Sequence, residues 1–284
     1  MMTLSEKMKR EMTLRGMAAG TQRSYLKMVS KLYEYHNKYP LAKLTEEQIK
    51  TYLLHIYSKG KMPASTYNTN IAALRFFYKV VLYKPMSKCF LPQMKPRKKL
   101  PDILSASEVE QIIKAARNIK QRTMFVVAYG AGLRSSEIKH LRIRDIDSKR
   151  MVMHICNGKG GKDRYAILPP TVLKTLRVYW EKCRSKIKCQ EDWLFPGRNP
   201  HQPISNRAIQ DAFTKTKARA GITKLGCIHS LRHAFATHSL EAGIDLYTIK
   251  ELLGHALIKT TARYLHMTTK QIGEAKAPID KLDI

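Results

Sequence analysis

Acidic side chains are scarce in this chain of 284 residues: 22 Asp and Glu stand against 52 Lys and Arg, a formal charge of +30. Self-repulsion on that scale is best tolerated beside a polyanion, and nucleic acid is the leading one. An anionic membrane surface fits less well, because no single amphipathic stretch or tail holds the charge. Residues 1–100 carry 20 basic and 5 acidic side chains and the remainder 32 and 17, so each part is +15 and both are expected to touch the polyanion. Apolar runs of the ~18 residues that span a bilayer are missing, and "MMTLSEKMKREMTLRG" has no apolar signal segment. Cysteine is sparse and odd in number: Cys89, Cys156, Cys183, Cys189 and Cys227 show no zinc-like spacing. They read as reduced, mostly structural thiols of a cytoplasmic, nucleoid-associated protein.

Hydrophobic periodicity then predicts a mainly α chain with a small β-hairpin or sheet, in two domains. "TQRSYLKMVSKLYEYHN" sets Tyr25, Met28, Val29, Leu32 and Tyr33 on one face. A capping box from Thr45 to Gln48 opens a helix with Ile49, Leu53 and Ile56 inward. Tyr67, Ile71, Leu74 and Tyr78 line another, and with a short helix before Gly16 these make a four-helix bundle over residues 1–90. Residues 91–101 alternate Pro92, Pro96 and Pro101 with Lys95, Arg97, Lys98 and Lys99, and read as an extended basic linker able to lie along phosphates. Residues 102–284 form the second domain. It opens with a capping box from Ser105 to Glu108, "GLRSSEIKHLRIRDID" turns into a helix, and "MVMHI" and "RYAIL" are strands joined across Gly158, Gly160 and Gly161.

Few polar groups in the second domain invite chemistry. Arg134 follows Gly132 at a helix start, and Lys159 sits among the hairpin glycines. His229 and Arg232 are three apart and share a helix face. His255 follows Gly254, and Tyr264 lies nine residues on. Two arginines, a lysine and two histidines suit a phosphate whose charge grows during reaction. No acidic cluster accompanies them, which argues against a two-metal nuclease and leaves tyrosine as the nucleophile. Each piece alone has a plainer reading: a surface arginine, core histidines, a packing tyrosine. "GKGGK" lacks the spacing of a phosphate loop.

The blocks taken together resemble the tyrosine recombinase (phage integrase) family, of the Xer and transposon-encoded type: "AGLRSSEIKHLRIRDID", "NGKGGKDRYAILP", "HSLRHAFATHSLEAG", "LLGHALIKTTARYLH" and, in the first domain, "GTQRSYLKMVSKL". The resemblance implies a helical, SAM-like DNA-binding domain and a mixed α+β catalytic domain clamped around DNA. It implies Tyr264 as nucleophile, forming a 3′-phosphotyrosyl link, with Arg134 and Arg232 clamping the phosphate. Lys159 protonates the leaving 5′ oxygen; His229 and His255 bond the phosphate, His229 also serving as acid–base partner of Tyr264. Glu137 and His266 are supporting residues. No cofactor or metal is called for. The implied partners are double-stranded DNA with inverted-repeat core sites, a homotetramer at synapsis, and an accessory DNA-binding protein or second recombinase. A tail with Ile272, Ile279, Leu282 and Ile284 is expected to dock on a neighbouring protomer. Candidate DNA contacts are Arg23 and Arg75 in the first domain, the linker's Lys95, Arg97, Lys98 and Lys99, and Arg207, Lys215 and Lys217 in the second. The alternatives are a type IB-like topoisomerase and a non-catalytic architectural protein.

Overall fold

The computed structural model describes residues 2–60, 62–84, 91–95, 102–156, 163–187, 191–255, 257–262 and 264–265. The chain divides into two compact units, residues 1–99 and 100–284.

The first unit is helical: α1 (Leu4–Leu14), α2 (Ala19–Tyr35), α3 (Glu46–Gly60) and α4 (Ala64–Phe76), the last running into a π turn, Phe77–Val81. The α3 capping box forms as read: the Thr45 amide donates to Gln48 Oε1 at 2.9 Å and the Gln48 amide to Thr45 Oγ1 at 3.3 Å. Met8, Met12, Leu32, Ile49, Ile71, Leu74 and Phe77 fill the core. Tyr33, expected on the inward face of α2, is instead 40% exposed. Leu91 is buried in this core and Met94 packs against it. Asn68 holds Met94 from both sides, accepting from its amide and donating to its carbonyl at 2.9 Å each.

In the second unit α5 (Ala106–Lys114) starts at the Ser105–Glu108 capping box. It leads into α6 (Ile119–Gly130), whose Met124, Phe125, Val127 and Ala128 sit at the centre of the core. Then α7 (Ser135–His140) stops early. The sequence predicts a helix through Asp147; the backbone of 141–143 instead pairs with 192–194. Ile143 N donates to Asp192 O at 2.8 Å, and Leu194 N to Leu141 O at 2.9 Å. The chain passes through a 3-10 turn, Ile143–Asp145, into β1 (Ile146–Asp147), a strand absent from the hairpin reading. β1, β2 (Val152–Ile155) and β3 (Arg164–Ile167) form one antiparallel sheet in that order, with Ile146 opposite Met153 and Ile155 opposite Arg164. Asp147 Oδ1 accepts from the amides of Lys149 and Arg150 to make the first turn.

Four more helices pack around this frame and a fifth, short one follows: α8 (Pro170–Tyr179), α9 (Asn206–Arg219), α10 (His229–Glu241), α11 (Leu246–Leu253) and α12 (Ile258–Ala262). α10 is buried nearly all round, from Leu231 to Leu240. That position puts the polar residues of "HSLRH" inside the unit. No helix among the described residues is long and apolar enough to cross a membrane.

Candidate active site

Glu137 is the hub of the site. Beyond the end of α6, Gly132 adopts φ +60°, and a Cβ there would meet Phe235 Cδ1 at 2.6 Å and Leu253 Cδ2 at 2.8 Å. Only glycine lets the backbone pass so close to α10 and α11. Arg134 then caps α7. Its amide donates to Glu137 Oε2 at 2.8 Å, its Nη1 to Oε1 at 2.6 Å, and its Nη2 to the Gly254 carbonyl at 3.3 Å. From β3, Arg164 donates to Glu137 Oε2 at 2.8 Å and to Leu252 O at 2.6 Å. From α10, Arg232 donates to Gly132 O at 2.6 Å and Leu253 O at 2.5 Å, and its Nη1 lies 3.6 Å from Glu137 Oε2. Gly254 ends α11 at φ +60°, and any Cβ there would run into the Arg164 side chain.

Three guanidiniums thus share one carboxylate, a surplus of two positive charges at residues that are largely out of water. The Arg232 side chain is fully buried. Burial, reinforced by Arg134 and Arg164 and opposed by Glu137, lowers its pKa to about 9. Burial alone would raise the Glu137 carboxyl; Arg164, Arg232 and Arg134, with the Arg134 amide, overcome it and hold the group below its ordinary value. An anion bearing two charges is what this arrangement is built to accept.

Tyr264, 1% exposed, lies among histidines. Its hydroxyl is 2.9 Å from His233 Nδ1. The His255 ring stacks nearly parallel to it, 13° between planes and 6.4 Å between centroids, and His255 Nδ1 is 2.9 Å from Thr261 Oγ1. Sequence reasoning expected His229 against the phenol. The structure puts His233 there, one turn further along α10, with His229 packed edge-on against it at 4.6 Å. Lys159 and His266 lie outside the described residues.

Two participants were missed. Arg164 reads in sequence as a charged residue at a strand start, and only the sheet brings it to Glu137. His233 carried a usable signal: it follows His229 by four and Arg232 by one, so a helix presents it on the face of the first histidine.

Of the candidate DNA contacts, Arg23, Lys95, Arg207 and Lys215 are exposed. Arg207 lies 3.6 Å from Asp211 on its own helix. Arg75 is turned inward and donates to Leu91 O at 2.5 Å, and Lys217 donates to Lys224 O, so both serve the fold. Arg97, Lys98, Lys99 and the four apolar tail residues lie outside the described residues. Among the described residues the one group of three with metal-ligand chemistry is Asp145, His154 and Cys156, on the sheet rather than beside the arginines. The thiols of Cys156 and Cys227 are exposed, which removes them from the structural role expected of the cysteines.

Residues 102–271 match the Phage integrase family, and residues 4–88 match its N-terminal SAM-like domain. A Sinorhizobium fredii protein that carries the name integrase/recombinase y4qK is 39% identical over 283 residues, 99% of this chain and 90% of its own length. The tyrosine recombinase XerD of Oceanobacillus iheyensis is 30% identical over 273 residues, 91% of each chain. Among solved structures, XerA recombinase aligns over 95% of both chains at 28% identity and a TM-score of 0.56. The XerH site-specific recombinase bound to palindromic difH substrate has the same fold, with a TM-score of 0.72 at 20% identity over 98% of this chain and 85% of that one.

Proposed function

The chain belongs to the phage integrase family and is a tyrosine site-specific recombinase; from that premise we propose how its own residues divide the work. The observation that carries the reading is the surplus of positive charge around Glu137, with a tyrosine and three histidines in the same unit.

Tyr264 Oη attacks the scissile phosphorus, the bond from phosphorus to the 5′ oxygen breaks, and a 3′-phosphotyrosyl link forms. Arg134 and Arg232 take the non-bridging oxygens as charge builds in the pentavalent transition state. Lys159 gives the leaving 5′ oxygen its proton. The phenol's own proton passes to His233 Nδ1, the nitrogen already 2.9 Å from it. In the second step the 5′ hydroxyl of a partner strand attacks and gives its proton to the now neutral Lys159, while Tyr264 leaves and takes back its proton from His233. The phosphotyrosyl bond conserves the energy of the phosphodiester, so resealing draws on no nucleotide. Strand exchange passes through a Holliday junction between two duplexes held by four protomers. The first unit and the basic residues around 95–99 grip DNA largely through phosphates, with base edges read in the major groove. The site of action is the bacterial cytoplasm, on DNA with inverted-repeat core sites.

Exchange is tested on a plasmid carrying two copies of a site selected by the protein from a random DNA pool. Recombined product from the wild type and none from Tyr264→Phe, with DNA binding equal in both, is the expected result. Relaxation of site-free supercoiled DNA without exchange would point to topoisomerase action instead. His233→Gln is expected to slow cleavage by roughly 10²–10⁴-fold, the usual contribution of a positioned base, with DNA binding kept. Its residual rate should climb with pH as solvent hydroxide takes the phenol's proton, a change that a packing role would not produce.

A further inference from the structure

We propose that Asp145, His154 and Cys156 form a binding site for a divalent transition-metal ion of the zinc class, with Asp163 as the outer partner of the histidine. The sheet register brings these residues together. Ile146 faces Met153, and Asp145, which closes the 3-10 turn just before β1, has its carboxylate within 4.8 Å of the His154 and Cys156 donor atoms. Ile155 faces Arg164, so continuing β2 and β3 by one sets Cys156 against Asp163. Side chains alternate along a strand. His154, Cys156 and Asp163 therefore share one face of the sheet, opposite the buried Met153, Ile155 and Ala166, and Asp145 stands beside them. The His154 and Tyr165 rings, 5.2 Å apart, mark the same face.

The chemistry of the donors is specific. Thiolate, imidazole and carboxylate are the ligand types of zinc, and their donor atoms here all lie within 4.8 Å of one another. His154 Nδ1 is 3.3 Å from Cys156 Sγ. Ligands at zinc distances in a tetrahedron stand about 3.5 Å apart, so an ion needs little rearrangement at this pair. The other ring nitrogen, Nε2, is 3.6 Å from Asp163 Oδ2. A carboxylate behind the imidazole is the usual support of a metal-bound histidine. Asp145 is buried and uses its Oδ2 to accept from the Arg142 amide at 2.8 Å. The two arginines that precede it in sequence are turned to Asp192, Arg142 at 2.9 Å and Arg144 at 3.2 Å, which offsets their repulsion of a cation. Cys156 is exposed, so an ion can reach the site from solvent. Binding forms the metal–sulfur bond and releases the thiol proton to water, and water completes the coordination.

The site stands where the segment carrying Lys159 leaves β2 and returns to β3. Cys156 precedes that lysine by three residues and Asp163 follows it by four. The ion would tie both ends of the segment to the sheet. That consequence rests on the role given to Lys159 above; binding of the ion does not.

The test is a Co²⁺ titration of the full chain, stripped of metal and kept reduced. One equivalent should produce tetrahedral Co²⁺ absorption with a thiolate charge-transfer band, displaced by Zn²⁺. Cys156→Ser and His154→Ala, with far-ultraviolet dichroism like the wild type, should abolish the band. Asp163→Asn should weaken binding by roughly 10–100-fold. Absence of the band in the wild type, or its persistence in Cys156→Ser through another of the cysteines, would overturn the proposal. Because the readout is binding, failure here leaves the recombinase reading untouched.

Discussion

Glu137→Gln is expected to destabilise the catalytic unit by about 3–5 kcal/mol, the cost of removing one partner from a buried ion cluster. The neutral amide would leave Arg134, Arg164 and Arg232 facing one another with no counter-charge among their described contacts, and Arg232 has no water to turn to. Thermal melting of the second unit reads the effect directly; for a unit of this size it corresponds to a fall of roughly 6–20 °C. The pH dependence adds a signature. In the folded chain the Glu137 carboxyl is held below its ordinary 4.5. Its stabilisation is therefore complete above the unfolded value and is lost as pH falls through the depressed folded one. The wild type should lose this contribution below about pH 4.5, whereas Glu137→Gln should have no such limb at this site. A melting temperature within 1–2 °C of the wild type, corresponding to about 1 kcal/mol or less, would mean that the cluster does not hold the fold.

Arg232→Lys separates geometry from charge. An ammonium keeps one positive charge but is a point donor. It cannot span from Gly132 O to Leu253 O as the planar fork does. With its two backbone anchors gone, the cation should no longer be fixed where the phosphate's charge develops. Cleavage of DNA is expected to fall by about 10²–10³-fold, as when one aimed donor is lost from an oxyanion site. DNA affinity should change only a few-fold if, as proposed above, binding draws on many phosphate contacts spread over both units. Equal loss of affinity and rate would instead make Arg232 a ground-state binding residue.

Much of this was legible in the sequence, for identifiable reasons. Helices declare themselves through caps and periodic apolar faces, as at Thr45 and Ser105, because those signals are local. The order of arginine, histidine-x-x-arginine, histidine and tyrosine marked the family. Contacts made across distant segments were not legible. β1 is two residues long, too short to alternate, and α7 ends because residues 192–194 compete for its backbone. Arg164 reaches Glu137 only through the sheet, and the choice of His233 over His229 depends on where residue 264 returns to α10. In the Asp145, His154 and Cys156 group, His154 and Cys156 lie two apart along β2, but Asp145 joins them only through the pairing of β1 with β2, which no spacing announces.

The central claim is that Tyr264 is the nucleophile of a metal-independent strand cleavage. The direct measurement is a denaturing gel of wild type and Tyr264→Phe after incubation in EDTA with a nicked suicide DNA carrying the selected site. The expected result is a covalent protein–DNA adduct with the wild type, formed in EDTA and absent from the variant despite equal binding. An adduct that persists in Tyr264→Phe, or cleavage with no covalent adduct that appears only when Mg²⁺ is added, would contradict it.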